Sequence, residues 1–101
     1  MSLSMLKQAL ELKSKMAKAQ KELGKMRVEA ETGKGAVRVT ATGTQKLVSI
    51  EISPEAINPA KPKQLESLVL KAVNEALDKS NKLSQEHLKN LTSGLNIPGL
   101  T

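Results

Sequence analysis

The chain has 101 residues, with 16 Lys and Arg, 10 Asp and Glu, one His, and no Cys, Phe, Tyr or Trp. That length serves one domain spanning 1–101, which buries about two-thirds of its unfolded surface, in a core of Leu, Val, Ile, Ala and Met alone. Disulfides and thiolate metal sites are excluded, and the thinness of an aromatic-free core points to association. The net charge is +6. Lys7, Lys13, Lys15, Lys18, Lys21 and Lys25 against Glu11 and Glu22 put 6 − 2 = +4 of it before Arg27, and so concentrated a basic excess suits a polyanion or an acidic surface.

From about Leu3 to Leu23 the chain has no Pro, no β-branched residue and no Gly, which predicts a helix ending at Gly24. Met5, Ala9, Leu12, Met16, Ala19, Leu23 and Met26 recur at alternating spacings of four and three, a heptad seam. Leu3, Leu6 and Leu10 add a second apolar strip near its start. Lys7, Lys18, Lys21 and Lys25 fall on the outer face, and Lys13 and Lys15 flank the seam. The period then changes to two. Val28 and Ala30, then Val37, Val39 and Ala41, alternate with charged or polar neighbours, and Val48, Ile50 and Ile52 alternate with Leu47, Ser49 and Glu51, as half-buried strands do. Gly33-Lys34-Gly35 and Gly43-Thr44-Gln45 are the joints of an antiparallel meander. A phosphate-cradling loop would need a helix after the glycines; here a strand follows, so the first joint reads as a hairpin turn. Ser53-Pro54-Glu55 opens a short turn with Ser as cap and Pro at its first position, and Asn58-Pro59 and Lys61-Pro62 form a stiff connector. From Pro62 to about Ser93, Leu65, Leu68, Val69, Ala72, Val73, Ala76 and Leu77 make a broad apolar helix face, continued by Leu83, Leu88 and Leu91. This helix is long enough for its far end to project into solvent. Residues 94–101 read as an irregular tail. The fold class is therefore α+β, in the order helix, three antiparallel strands, helix, with both helices available to cover the sheet. The first helix's seam outruns so small a sheet, and a partner chain would cover the excess.

Four stretches in register resemble the YbaB/EbfC family of bacterial nucleoid-associated proteins: Gly33-x-Gly35-x-Val37-x-Val39 with Gly43; Val48-x-Ile50-x-Ile52-x-Pro54; Leu65-Glu66-x-Leu68-Val69-x-x-Ala72-x-Asn74-Glu75-Ala76; and Gly94-Leu95-x-x-Pro98-Gly99. The Lys-, Gln- and Met-rich first helix is similar in character. The resemblance implies a tweezer-shaped homodimer with helices projecting from a β core, binding duplex DNA with little sequence preference in the nucleoid. Many members of that family begin with a Gly- and Met-rich lead, and this chain starts directly on its helix. For such a shape the DNA-contacting residues are expected to be Lys7, Lys13, Lys15, Lys18, Lys21 and Lys25, with Lys82 and Lys89 from the far part of the second helix. Lysine suits salt-dependent phosphate neutralisation. Two arginines and no aromatics provide poorly for guanine reading or base stacking.

Against these stand plainer readings. Surface lysines solvate many helices. His87 has no Cys or second His in its chain, so it reads as a solvated helix position and not a metal ligand. Asn74 and Glu75 read as hydrogen-bonding contacts to the sheet or to another subunit. Nucleophilic catalysis needs a Ser or Thr with a positioned base, and beyond His87 nothing near Ser80, Ser84 or Ser93 suggests one, so no catalytic residue, cofactor, metal or small-molecule substrate is expected. The competing function is a protein-interaction module, in which the basic heptad helix docks an acidic or helical partner. A membrane-surface role lacks the Trp or Phe anchor of interfacial helices. With no apolar run near the roughly 20 residues that span a bilayer and no charged-then-apolar leader, the expected location is cytoplasmic.

Overall fold

A computed structural model describes residues 2–93, with the side chains of Thr92 and Ser93 undescribed; the irregular tail expected at 94–101 lies outside the described residues. The order is α1 (Leu3–Lys25), β1 (Arg27–Thr32), β2 (Val37–Thr42), β3 (Leu47–Ile52), a 3-10 turn (Pro54–Ala56) and α2 (Pro62–Ser93). The strands form one antiparallel sheet in the order β1-β2-β3, with Ala30 opposite Val39 and Val39 opposite Ile50. The α+β meander read from the sequence is the fold observed.

Ser2 caps α1 by accepting a hydrogen bond from the Met5 N–H at 3.3 Å, satisfying one of the donors a helix start leaves unpaired. The helix runs through Gly24 and stops at Met26, whose backbone turns extended while its N–H still bonds the Leu23 carbonyl. Gly24 therefore does not end the helix. The Arg27 guanidinium supplies the stop, donating to the Gly24 and Met26 carbonyls at 2.9 and 3.1 Å. Ser53 makes no side-chain cap on the 3-10 turn. In the first hairpin Gly33, Lys34 and Gly35 take φ of +61°, +56° and +86°, a left-handed run that glycine enters without steric cost.

The core lies between α2 and the first two strands. Ala30, Val37, Val39 and Ala41 meet Ala72 and Ala76, with Val28, Leu65, Leu68, Val69 and Val73 packed around them. Small residues on both sides bring helix and sheet close without an aromatic. Polar ties fix the register. Thr32 Oγ1 donates to the Leu68 carbonyl at 2.8 Å. Buried Ser80 donates to the Thr42 carbonyl at 2.6 Å and accepts from the Gln45 N–H at 2.9 Å, so it pins the second hairpin to α2.

Two expectations change. First, β3 is exposed along all six residues. Ile50 and Ile52 share a face with the core, but α2 lies over β1 and β2 and, among the described residues, that side of the third strand is left exposed. Second, α1 does not lie across the sheet. Only Ala19 and Leu23 of its seam are buried; Leu12 and Met26 are half-buried, and Met5, Ala9 and Met16 are exposed. The described chain measures 68 × 23 × 18 Å with a radius of gyration of 19.3 Å, against about 13 Å for a compact chain of this length.

The join between α1 and the sheet is a close backbone approach. The Gly43 N–H donates to the Leu23 carbonyl at 2.9 Å. A Cβ on Gly43 would stand 2.8 Å from that carbonyl oxygen and 2.9 Å from Leu23 Cδ2, whereas one on Gly24 would meet nothing within 4 Å. Gly43→Ala is expected to destabilise the fold by about 1–3 kcal/mol through overpacking. Gly24→Ala, inside the helix, is expected to stabilise it by roughly 0.5–1 kcal/mol. Urea unfolding followed by circular dichroism checks both.

Candidate nucleic-acid interface

Each lysine proposed from the sequence is exposed. Lys7, Lys18, Lys21 and Lys25 lie within about 60° of one another around α1 at 100° per residue, and span about 27 Å along it. Lys15 and Lys18 turn toward α2, where they line a groove of about 430 Å³ with Ala19, Glu22, His87, Asn90 and Leu91. Among the described residues no carboxylate pairs with any of the six α1 lysines or with Lys82. These ammonium groups are therefore available to an external anion.

Lys82 and Lys89 are not brought to the same place. They line a separate shallow hollow on α2 with Gln85 and Glu86, roughly opposite the His87 side of that helix by its 100° periodicity. Glu86 between them reduces the local positive potential. The structure thus groups the α1 lysines along one arm and sets the α2 pair apart.

The sheet's outer face has a different character. Arg38 forms ion pairs with Glu31 and Glu51, and its Nε donates to Glu31 Oε1 at 2.7 Å. That hydrogen bond, then the charge of Glu31, raises the guanidinium pKa above its ordinary value. Arg27 is engaged at the α1 terminus. Both arginines of the chain are thus committed to structure, which leaves neither as a ready fork for a guanine edge. Lys79 likewise donates to the Glu29 carbonyl at 2.7 Å, covering part of the β1 edge.

Sequence reasoning missed one contact. His87 is half-buried, with Nε2 3.0 Å from Glu22 Oε2, and it joins the two helices. No local pattern signals a pair 65 residues apart. The side chains of Asn74 and Glu75 make no hydrogen bond among the described residues, so the expected hydrogen-bonded contact to the sheet is not formed there; Asn74 is exposed and Glu75 half-buried. The described residues contain no helix long and apolar enough to cross a membrane and no group of three metal-ligating side chains.

Comparisons place this architecture among known proteins. The model of the YbaB/EbfC DNA-binding family matches residues 1–95. A nucleoid-associated protein of Pelotomaculum thermopropionicum is 44% identical over 96 residues, covering 95% of this chain and 91% of the relative. One from Desulforamulus reducens is 45% identical with the same coverage. One from Moorella thermoacetica is 41% identical over 94% of this chain and 91% of its own. Among solved structures, the uncharacterized protein HP0035 from Helicobacter pylori superposes with a TM-score of 0.62 at 19% identity, over 82% of this chain and 92% of that one. That likeness concerns the fold alone.

Proposed function

Because the chain belongs to the YbaB/EbfC DNA-binding family, we propose that it is a non-catalytic nucleoid protein that binds duplex DNA through phosphate contacts, with little sequence preference, as a homodimer. The observation that carries this reading is the α1 arm. It presents a row of exposed lysines without carboxylate partners among the described residues, while both arginines are occupied elsewhere. Duplex DNA presents one negative charge per about 1.7 Å of axis, and its neutralisation by lysine releases counterions whatever the base sequence. The second helix contributes Lys82 and Lys89 from a different face, as a subsidiary contact.

Pairing is supported by uncovered apolar surface. Ile52, Ile57, Pro59, Pro62, Leu65, Val69, Leu70 and Val73 are among the residues lining an open groove of about 610 Å³ between β3 and α2. Leu70 is 63% exposed and Val48 52%. A continuous apolar patch of this kind marks an interaction site. A second copy would bring the same incomplete face, as a two-fold interface requires.

The protein-interaction reading keeps one supporting observation: Leu3, Leu6 and Leu10 form an exposed strip on α1 on which an amphipathic helix could dock. Competition by unrelated duplex separates the two, since it displaces a DNA-binding arm from any labelled duplex.

Two outcomes are expected. Anisotropy titrations of a random-sequence duplex show binding that weakens steeply with salt. Replacing Lys7, Lys18, Lys21 and Lys25 by Gln makes the logarithmic salt slope shallower by up to about 0.9 per contact removed; an unchanged affinity and slope would remove α1 from the interface. Separately, Leu70→Asp is expected to give a monomer by sedimentation velocity with its helix signal retained, and a persisting dimer would place the pairing surface elsewhere.

A further inference from the structure

α1 is a lever held near one end. Its anchor is buried Leu23, bonded through its carbonyl to Gly43. From Ser2 to Lys18 every residue is exposed except half-buried Leu12. Beside the anchor, the one charged contact between the two helices among the described residues is Glu22 with His87, at 3.0 Å. Lys7 stands about 22 Å along the helix from Glu22 at 1.5 Å per residue, so a tilt of about 10° there displaces it by about 4 Å. The position of the basic row therefore depends in part on this contact, beside the apolar packing of Ala19 and Leu23.

We propose that Glu22 and His87 form a proton-strengthened clasp that sets the angle of the basic α1 arm, so that DNA binding takes up a proton at His87. The inference rests on the DNA-binding reading above. A neutral imidazole donates one N–H to the carboxylate. A protonated one adds the attraction of opposite charges to that hydrogen bond. The groups facing His87 are Lys15, Lys18 and Glu22 from α1, with Asn90 and Leu91 from α2 itself; Glu86 and Lys89 line the separate hollow. With His87 neutral the charges lining the groove sum to +1, from Lys15 and Lys18 against Glu22. With His87 protonated they sum to +2. A phosphate approaching Lys15 and Lys18 favours the second state. Tighter clasping and added charge act in the same direction, so affinity rises as pH falls. His87 is on this account a positioning residue for the arm.

The chain contains one histidine, so the carbon-bound imidazole proton signals in an NMR spectrum report His87 alone. Adding a random-sequence duplex at pH 7 and constant ionic strength is expected to move those signals toward their protonated position. By linkage, affinity rises about threefold to tenfold from pH 8 to pH 6. His87→Gln keeps an amide donor for Glu22 and is expected to lose that dependence. Glu22→Gln removes one negative charge from the arm, so attraction alone would tighten binding; the clasp predicts binding weaker by about twofold to threefold at pH 6. If the duplex binds but the imidazole signals stay in place, or if Glu22→Gln binds at least as tightly as the parent, the clasp is overturned and the DNA-binding reading stands. If no duplex binds at either pH, both are overturned.

Discussion

Everything in this molecule depends on how closely α2 can approach the sheet. Ala72, Ala76 and Ser80 sit directly against β2 and its turn, and their small side chains allow the approach. A core made this way is dense but narrow. It spans two strands, because a single helix covers a width of only about 10 Å. The third strand and most of the first helix are left with apolar residues in solvent. Ser80 holds the arrangement in register with one buried and one part-buried hydrogen bond, and losing the buried one would strand a polar group at a cost of about 1–3 kcal/mol.

The narrow core also segregates charge. The acidic residues of the sheet face are gathered around Arg38, while among the described residues the α1 lysines have no carboxylate partner. On the proposed reading a polyanion meets α1 and is repelled by the sheet. Lysines on a helix anchored only near its C-terminal end can follow a phosphate backbone, since each acts as a point charge on a flexible stem. Base-specific contacts demand rigid planar forks, and the two arginines are spent on capping α1 and on crosslinking the strands. The proposed lack of sequence preference follows from where the arginines are, and not merely from how few they are.

The local chemistry of the chain made most of the fold legible. Period-two alternation located all three strands, because strand faces are properties of neighbouring residues, and the turn glycines located the hairpins, through left-handed φ at Gly33 and Gly35 and through the close approach of Gly43 to Leu23. The helix stop at Met26 was not visible, since Gly24 is locally a terminator and the group that ends the helix, Arg27, does so through its side chain. The exposure of β3 escaped for a related reason. Alternation says which side chains share a face, but not whether anything lies on that face. The site divides in the same way. The phase of the lysines on α1 follows from the helix repeat. The separation of Lys82 and Lys89 from the α1–α2 groove, and the Glu22–His87 contact, arise from how two distant helices pack, which neither segment encodes alone.

The central claim is that this chain completes its narrow core by pairing with a second copy, and that the pair carries the basic arms. The most direct measurement is the thermal unfolding midpoint, by circular dichroism, across a hundredfold range of protein concentration. If folding and pairing are linked, mass action raises the midpoint steadily with concentration. A midpoint independent of concentration, together with a monomeric mass throughout, would show that the chain tolerates its uncovered β3 face alone, and would contradict the account.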